Sequence, residues 1–185
     1  ENKEVRVAAI NSLGKLGRGV PEAEEALKNL ISDTDPEIRT KVALALANFG
    51  TVDESIWPVI FKALGSADDH TIRIAVTVLR RIISASPDKI IPAFVDALES
   101  DQKTLGSLLK LIENSRLQNA LILERLVKVF PNASAANRVH ILNILTAMDE
   151  NGNYATPLIV QSLVDKNPAL KKAAFHSLIR FPDIL

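Results

Sequence analysis

The chain has 185 residues, 47% of them hydrophobic and 24% charged, a mix that builds one domain or one array around a substantial core. Its 22 Lys and Arg balance 22 Asp and Glu, so no global field steers it toward nucleic acid or an anionic membrane. With no cysteine in the chain, disulfides, thiolate nucleophiles and Cys-ligated metals are excluded together.

No membrane span is expected. The longest uncharged stretch, Asn151 to Val164, has 14 residues and includes a proline, whereas a span needs about 20 mostly apolar residues. The charged opening Glu1-Asn2-Lys3-Glu4 is not a signal peptide. These features and the missing cysteine point to the cytoplasm. Seven glycines are few for this length, and a sequence dominated by Leu, Ala, Ile, Lys and Glu reads as helices joined by short turns.

Taken along the chain, an apolar residue followed by a base recurs as Val5-Arg6, Ile38-Arg39 and Ile72-Arg73, with weaker copies at Leu105-Gly106, Val139-His140 and Leu170-Lys171. The recurrence of about 33 residues is that of a helix–turn–helix repeat. Each marker opens a helical apolar stripe. Ala9, Leu13 and Leu16 form the first; Val42, Leu46 and Phe49 the second; Ala174, Leu178 and Phe181 the last. In the middle copies the stripe drifts, as in Val76, Leu79 and Ile83. These are the second helices of each repeat, expected over 2–17, 36–49, 69–84, 102–114, 134–148 and 168–181.

First helices are expected over 21–31, 53–64, 87–99, 117–129 and 153–164. A proline six residues before a leucine marks three of them: Pro58 and Leu64, Pro92 and Leu98, Pro157 and Leu163. Proline is tolerated at a helix start, where its missing N–H has no partner to lose. Asp53, Ser86 or Asp88, and Asn153 are the expected N-caps. Gly17 and Gly50 follow second helices, where a left-handed cap favours glycine. Asp33-Thr34-Asp35-Pro36 and Asp165-Lys166-Asn167-Pro168 read as equivalent turns inside repeats two and six. Repeat five has a longer turn, Pro131-Asn132-Ala133-Ser134. The expected fold is all-α, an α-solenoid of about five to six stacked hairpins, residues 1–185 forming one array. The unpaired opening helix, and Pro182-Asp183-Ile184-Leu185 resembling the start of another first helix, read as a segment of a longer array.

The run Asp33-x-Asp35-Pro36-x-Ile38-Arg39, followed by Ala43, Ala45, Leu46 and Gly50, resembles HEAT repeats, most of all the short microbial variety found in phycobilisome lyase subunits. The resemblance implies a ladder between neighbouring repeats, made by turn aspartates and by arginines early in second helices. Asp33, Arg39, Asp68 and Arg73 match it. Gly106 breaks it, and His140 and Lys171 approximate it. The resemblance implies architecture, not a particular activity.

No catalytic constellation is visible. His70, His140 and His176 form no H-E-x-x-H pattern, and without a His-Glu dipeptide the chain does not resemble the iron-binding hydroxylases of the HEAT class. No metal and no cofactor are expected. Gly14, Gly17 and Gly19 lack the Walker pattern and read as helix-ending glycines. Function is therefore expected on a surface. Bases outnumber acids on the second-helix row, which should line the concave side of the solenoid. Lys15, Lys41, Arg80, Arg81, Lys110, His140 and Arg180 form the candidate partner-binding stripe, suited to an acidic peptide or helix. The leading reading is a non-catalytic scaffold that binds another protein. Alternatives are an accessory subunit of a bilin lyase, and binding of nucleic-acid backbone through the basic row. Neutral charge and scattered aromatics weigh against the last. Trp57 and Tyr154, at corresponding first-helix starts, are expected to pack between repeats.

Overall fold

Six polar residues set the frame of the molecule. Asn2, Asp35, Asp68, Asp101, Ser134 and Asn167 stand 33 residues apart throughout, and each accepts a backbone N–H from the helix that follows it. That satisfies one of the donors every helix start leaves unpaired. The helices they open are α1 (Lys3–Leu16), α3 (Pro36–Phe49), α5 (Asp69–Ala85), α7 (Gln102–Ser115), α9 (Ala135–Met148) and α11 (Pro168–Leu178). Between them lie α2 (Pro21–Asn29), α4 (Trp57–Leu64), α6 (Pro87–Ala97), α8 (Ala120–Val129) and α10 (Ala155–Leu163), and a 3-10 turn over Phe130–Asn132 follows α8. The structure is a computed structural model that describes residues 2–49, 56–115 and 117–181. Gly50, Asp53 and residues 182–185, which carried expectations above, lie outside the described residues. No strand occurs among the described residues, and the helices lie where the sequence places them, with ends shifted by no more than about a turn.

The chain divides into two compact units, Glu1–Ile90 and Ile91–Leu185. In the first, α1 packs on α3 and α3 on α5; α2 lies against α1 and α3, and α4 against α3 and α5. In the second, α7 packs on α9 and α9 on α11; α8 lies against α9, and α10 against α9 and α11. Each unit is a short α-solenoid whose hairpins stack in chain order. The boundary between the units falls within α6.

Burial follows the cap frame. The seventh residue after each internal cap is Val42, Ala75, Leu108, Ile141 or Ala174, and all five are fully buried. One turn on, Leu46, Leu79, Ile112 and Leu145 are buried too. Measured from the caps, the apolar register is constant. The drift in the middle repeats belonged to the sequence marker: Ile72-Arg73 sits one residue later in its helix than Ile38-Arg39 does.

Neighbouring second helices meet along an i, i+4 ridge. In α1 the ridge is Arg6, Ile10 and Gly14, with Lys3 beside it one turn before Arg6. Lys3 reaches Asp35 and Glu37 at 2.9 and 2.7 Å, Arg6 reaches Asp33, and Ile10 is buried. At Gly14 a Cβ would lie 2.8 Å from the Ala45 Cβ, so only glycine lets α1 and α3 approach this closely. The same ridge in α9 carries Arg138, Leu142 and Thr146 toward α11. Arg138 pairs with Asp165 at 3.1 Å, Leu142 is buried, and the Thr146 hydroxyl donates to the Ser177 hydroxyl at 2.8 Å.

Several local expectations are corrected. Gly14 lies within α1 and does not end it. Gly17 follows α1 with φ −84°, outside the left-handed region; a Cβ there would meet the Ala23 Cβ at 2.6 Å, so the requirement is steric. Gly19, at φ +83°, takes the left-handed turn. Pro92 stands inside α6, not at its start. The N-terminus of α10 is capped by Asp149, whose carboxylate accepts the N–H groups of Tyr154 and Ala155 at 2.6 and 2.8 Å, and not by Asn153. Trp57 is buried. Tyr154 is half-buried, its hydroxyl 3.4 Å from Glu124 Oε1.

Candidate interaction surface

The ladder obeys a positional rule that the sequence pattern blurred. Its cation is the fourth residue after a cap, and its carboxylate lies two residues before the next cap. Arg6 with Asp33 and Arg138 with Asp165 satisfy both conditions. Each aspartate also accepts the N–H of the cap two residues on, Asp33 from Asp35 at 2.8 Å and Asp165 from Asn167 at 2.7 Å. That fixes the carboxylate before the arginine arrives. The Asn167 N–H, then Arg138, hold the Asp165 carboxyl below its ordinary range.

Asp68 and Arg73 form no rung among the described residues. Asp68 is itself a cap, held below the usual carboxylate range first by the Thr71 hydroxyl, and Arg73, one residue past the rung position, is exposed. The residue aligned with Asp33 is Ser66, whose hydroxyl accepts the Asp68 N–H at 3.1 Å. Arg39 holds the rung position but donates to the carbonyls of Asp33 and Thr34, at 2.6 and 3.0 Å. In the frame of Asp101 the rung position is Leu105, which has no charge to offer, and a neutral network joins α7 to α9. Gln102 accepts from the Ser134 N–H at 2.8 Å and from Asn137 Nδ2 at 3.0 Å, and donates to the Asn132 carbonyl at 3.1 Å. Arg138, four residues after Ser134, is the rung of repeat five; His140, two residues further on, faces the other way toward Glu113.

The stripe residues fall into two groups, one in each unit. In the first unit Lys15 and Arg81 are both the thirteenth residue after their caps, both exposed, and Arg80 is exposed beside Arg81. Lys41 is not available in the same way: its side chain is 12% exposed and lies 3.6 Å from Glu37, which also binds Lys3. Glu37 and then Asp35 raise Lys3 above its ordinary value, and Lys3 in turn lowers both carboxyls.

In the second unit His140 Nδ1 lies 3.1 Å from Glu113 Oε1, joining α9 to α7. Lys110 is exposed one turn before Glu113 on α7. Beside this pair opens a cleft of about 520 Å³. Ile144, Ala147 and Met148 form its apolar lining, with Gln118, Asn143, Glu113 and Arg180 as the polar groups. Asn143, Ala147 and Arg180 are exposed, and all lie on the second-helix row or at its end. No trio of His, Asp and Glu able to hold a metal occurs among the described residues. No helix among them is long and apolar enough to cross a membrane.

Residues 1–80 match the family described as HEAT repeats. That stretch carries HEAT repeats. No curated protein matches it. Among solved structures it is similar to the crystal structure of an engineered protein, at 21% identity, covering 99% of this chain and 92% of that one with a TM-score of 0.42. In the matched stretch the HEAT pattern and the geometry coincide: turn aspartate, cap, proline at the first helical position, and a buried apolar stripe.

Proposed function

We propose that this chain is a non-catalytic protein-interaction module that receives its partner on the second-helix face, with the cleft beside α9 as the principal contact. HEAT repeats typically bind proteins. The observation that carries the reading here is the roughly 520 Å³ cleft, whose apolar lining is set among amides and the Arg180 guanidinium. Of the apolar lining Ala147 is exposed while Ile144 and Met148 are largely buried, so the polar groups that fix orientation carry much of the contact. Glu113 is engaged by His140, while Arg180 and nearby Lys110 face solvent. That balance suits a partner segment with carboxylates flanking an apolar anchor, such as an acidic amphipathic helix.

Photo-crosslinking in cell extract tests the reading. A crosslinker at Asn143 captures a discrete partner, one at Leu121 on the first-helix row does not, and Arg180→Glu weakens capture about tenfold or more. Equal capture from both positions, or capture indifferent to Arg180→Glu, removes the cleft from the binding surface. Turnover of a substrate by the purified chain alone would defeat the non-catalytic reading.

A further inference from the structure

Glu113 is the only acid among the residues that line the cleft, and what it contributes there depends on the side chain that holds it. The contact between His140 Nδ1 and Glu113 Oε1, at 3.1 Å, joins two half-buried side chains on adjacent second helices. Imidazole is the side chain whose charge changes between about pH 5 and 8. As a neutral ring with its hydrogen on Nδ1, His140 donates to Glu113 and leaves the carboxylate charge in place. As a cation it cancels that charge at the same distance.

The surrounding charges set the sign of the effect. On α7, Lys110 is exposed one turn before Glu113. On α11, the other second helix packed against α9, His176 is exposed one turn before Arg180, and Lys172 one turn before His176. On α8, Glu124 and Arg125 are engaged by Tyr154 and Glu99, and Lys128 lines a separate cleft with Glu99. The helix α10 carries no ionisable side chain. Within α9 itself, Arg138 is committed to Asp165. Protonating His140 therefore balances the one negative charge in the cleft lining and leaves the positive charge of Arg180 unopposed there. Protonating His176 adds to that positive charge.

We propose, resting on the cleft as the contact surface, that the protonation of His140 governs how tightly the cleft holds a carboxylate-bearing partner. Binding is tighter in mildly acidic solution and weaker above neutrality. The partner's own carboxylates stay ionised across that range, because ordinary carboxyl groups take up protons only near about pH 4.

The test uses the full chain and a rhodamine-labelled synthetic peptide in which a leucine is flanked by glutamates at helical spacing. Binding is followed by anisotropy at low ionic strength, where charge is least screened. Affinity is expected to rise about tenfold between about pH 7.5 and about pH 5.5, the effect of one or two charges gained within about 10 Å of the peptide's carboxylates. His140→Asn keeps a donor near the place of Nδ1 but takes no charge. It should hold affinity close to its value at the higher pH, with about a threefold rise left to His176. Glu113→Gln should tighten binding severalfold at the higher pH. An undiminished pH response in His140→Asn overturns the proposal, as does a Glu113→Gln chain that binds no more tightly at the higher pH. Arg180→Glu separates the switch from the site. A peptide whose affinity ignores that change is bound elsewhere, and both readings fall. A peptide that Arg180→Glu weakens, but whose pH response ignores His140→Asn, keeps the cleft and removes the switch. No binding at either pH removes both.

Discussion

Replacing Gly14 by alanine sets two opposing effects against each other, and the structure decides between them. On an exposed helix the change stabilises by about 1 kcal/mol, because alanine is the better helix former. Here the added Cβ would lie 2.8 Å from the Ala45 Cβ and 3.2 Å from its Cα, and neither atom can rotate away. Relief requires α1 and α3 to part by roughly 1 Å, which forfeits about a quarter to a half of the dispersion attraction between the facing atoms. Overpacking of this kind costs about 1–3 kcal/mol, so Gly14→Ala is expected to destabilise α1 by about 1 kcal/mol net. Short arrays open from their ends, so the assay is amide exchange resolved along α1 and α3, not a global midpoint. Ala45→Gly removes the opposing methyl. The double variant should exceed the sum of the single changes by about 1–2 kcal/mol of coupling. If Gly14→Ala instead slows exchange in α1 and shows no coupling to Ala45→Gly, the close approach of the two helices is wrong.

Arg6→Met leaves the Asp33 carboxylate, 8% exposed, without its partner. It is expected to cost about 1–3 kcal/mol in denaturant titration, and Asp33→Asn in the same chain should recover part of the loss, because an amide oxygen still accepts the Asp35 N–H. Gln102→Ala removes the side-chain bonds to Ser134, Asn137 and Asn132 and should cost about 1–2 kcal/mol, read as faster exchange at the start of α9. In acid, Asp101 is held below its ordinary value of 3.8, first by the Thr104 hydroxyl and N–H, and Asp35, Glu37, Asp68 and Asp165 are lowered as well. Depressed folded values mean that the stabilisation is complete above the ordinary carboxyl range. It fades as pH falls through the lowered values. Melting temperature should therefore drop on acidification below about pH 4, with a shallower fall in Asp101→Asn; a profile flat to pH 2 would count against these caps.

Most of the helical frame was legible because its causes are local. Asp35-Pro36 and Asn167-Pro168 announce helix starts by a side-chain acceptor followed by a residue that needs no donor partner. Leu46 and Leu145 declare the core face by spacing. What escaped were effects that depend on a second helix. Gly14 looks like a breaker until Ala45 is placed opposite it. Gly17 looks like a left-handed cap until Ala23 and Phe49 are seen to exclude a side chain. Asp149 caps α10 across the tight turn at Gly152, with φ +70°, a reach that spacing along the chain does not reveal beside the nearer Asn153.

The candidate surface was harder to read for a related reason. Charge is visible in sequence; whether a charge is free is not. Lys41 and Arg180 are both bases on the second-helix row, yet Lys41 is held by Glu37 while Arg180 stands at an open cleft. His140 and Arg138 lie two residues apart, yet Arg138 faces the next hairpin and His140 turns back toward Glu113 of the preceding one. A two-residue offset turns a helix by about 200°, so a marker that slips by one or two positions exchanges an inter-repeat rung for a surface group. Fixing the frame on the cap residues removes that ambiguity. On that frame Arg6 and Arg138 are inter-repeat rungs, and His140 is not.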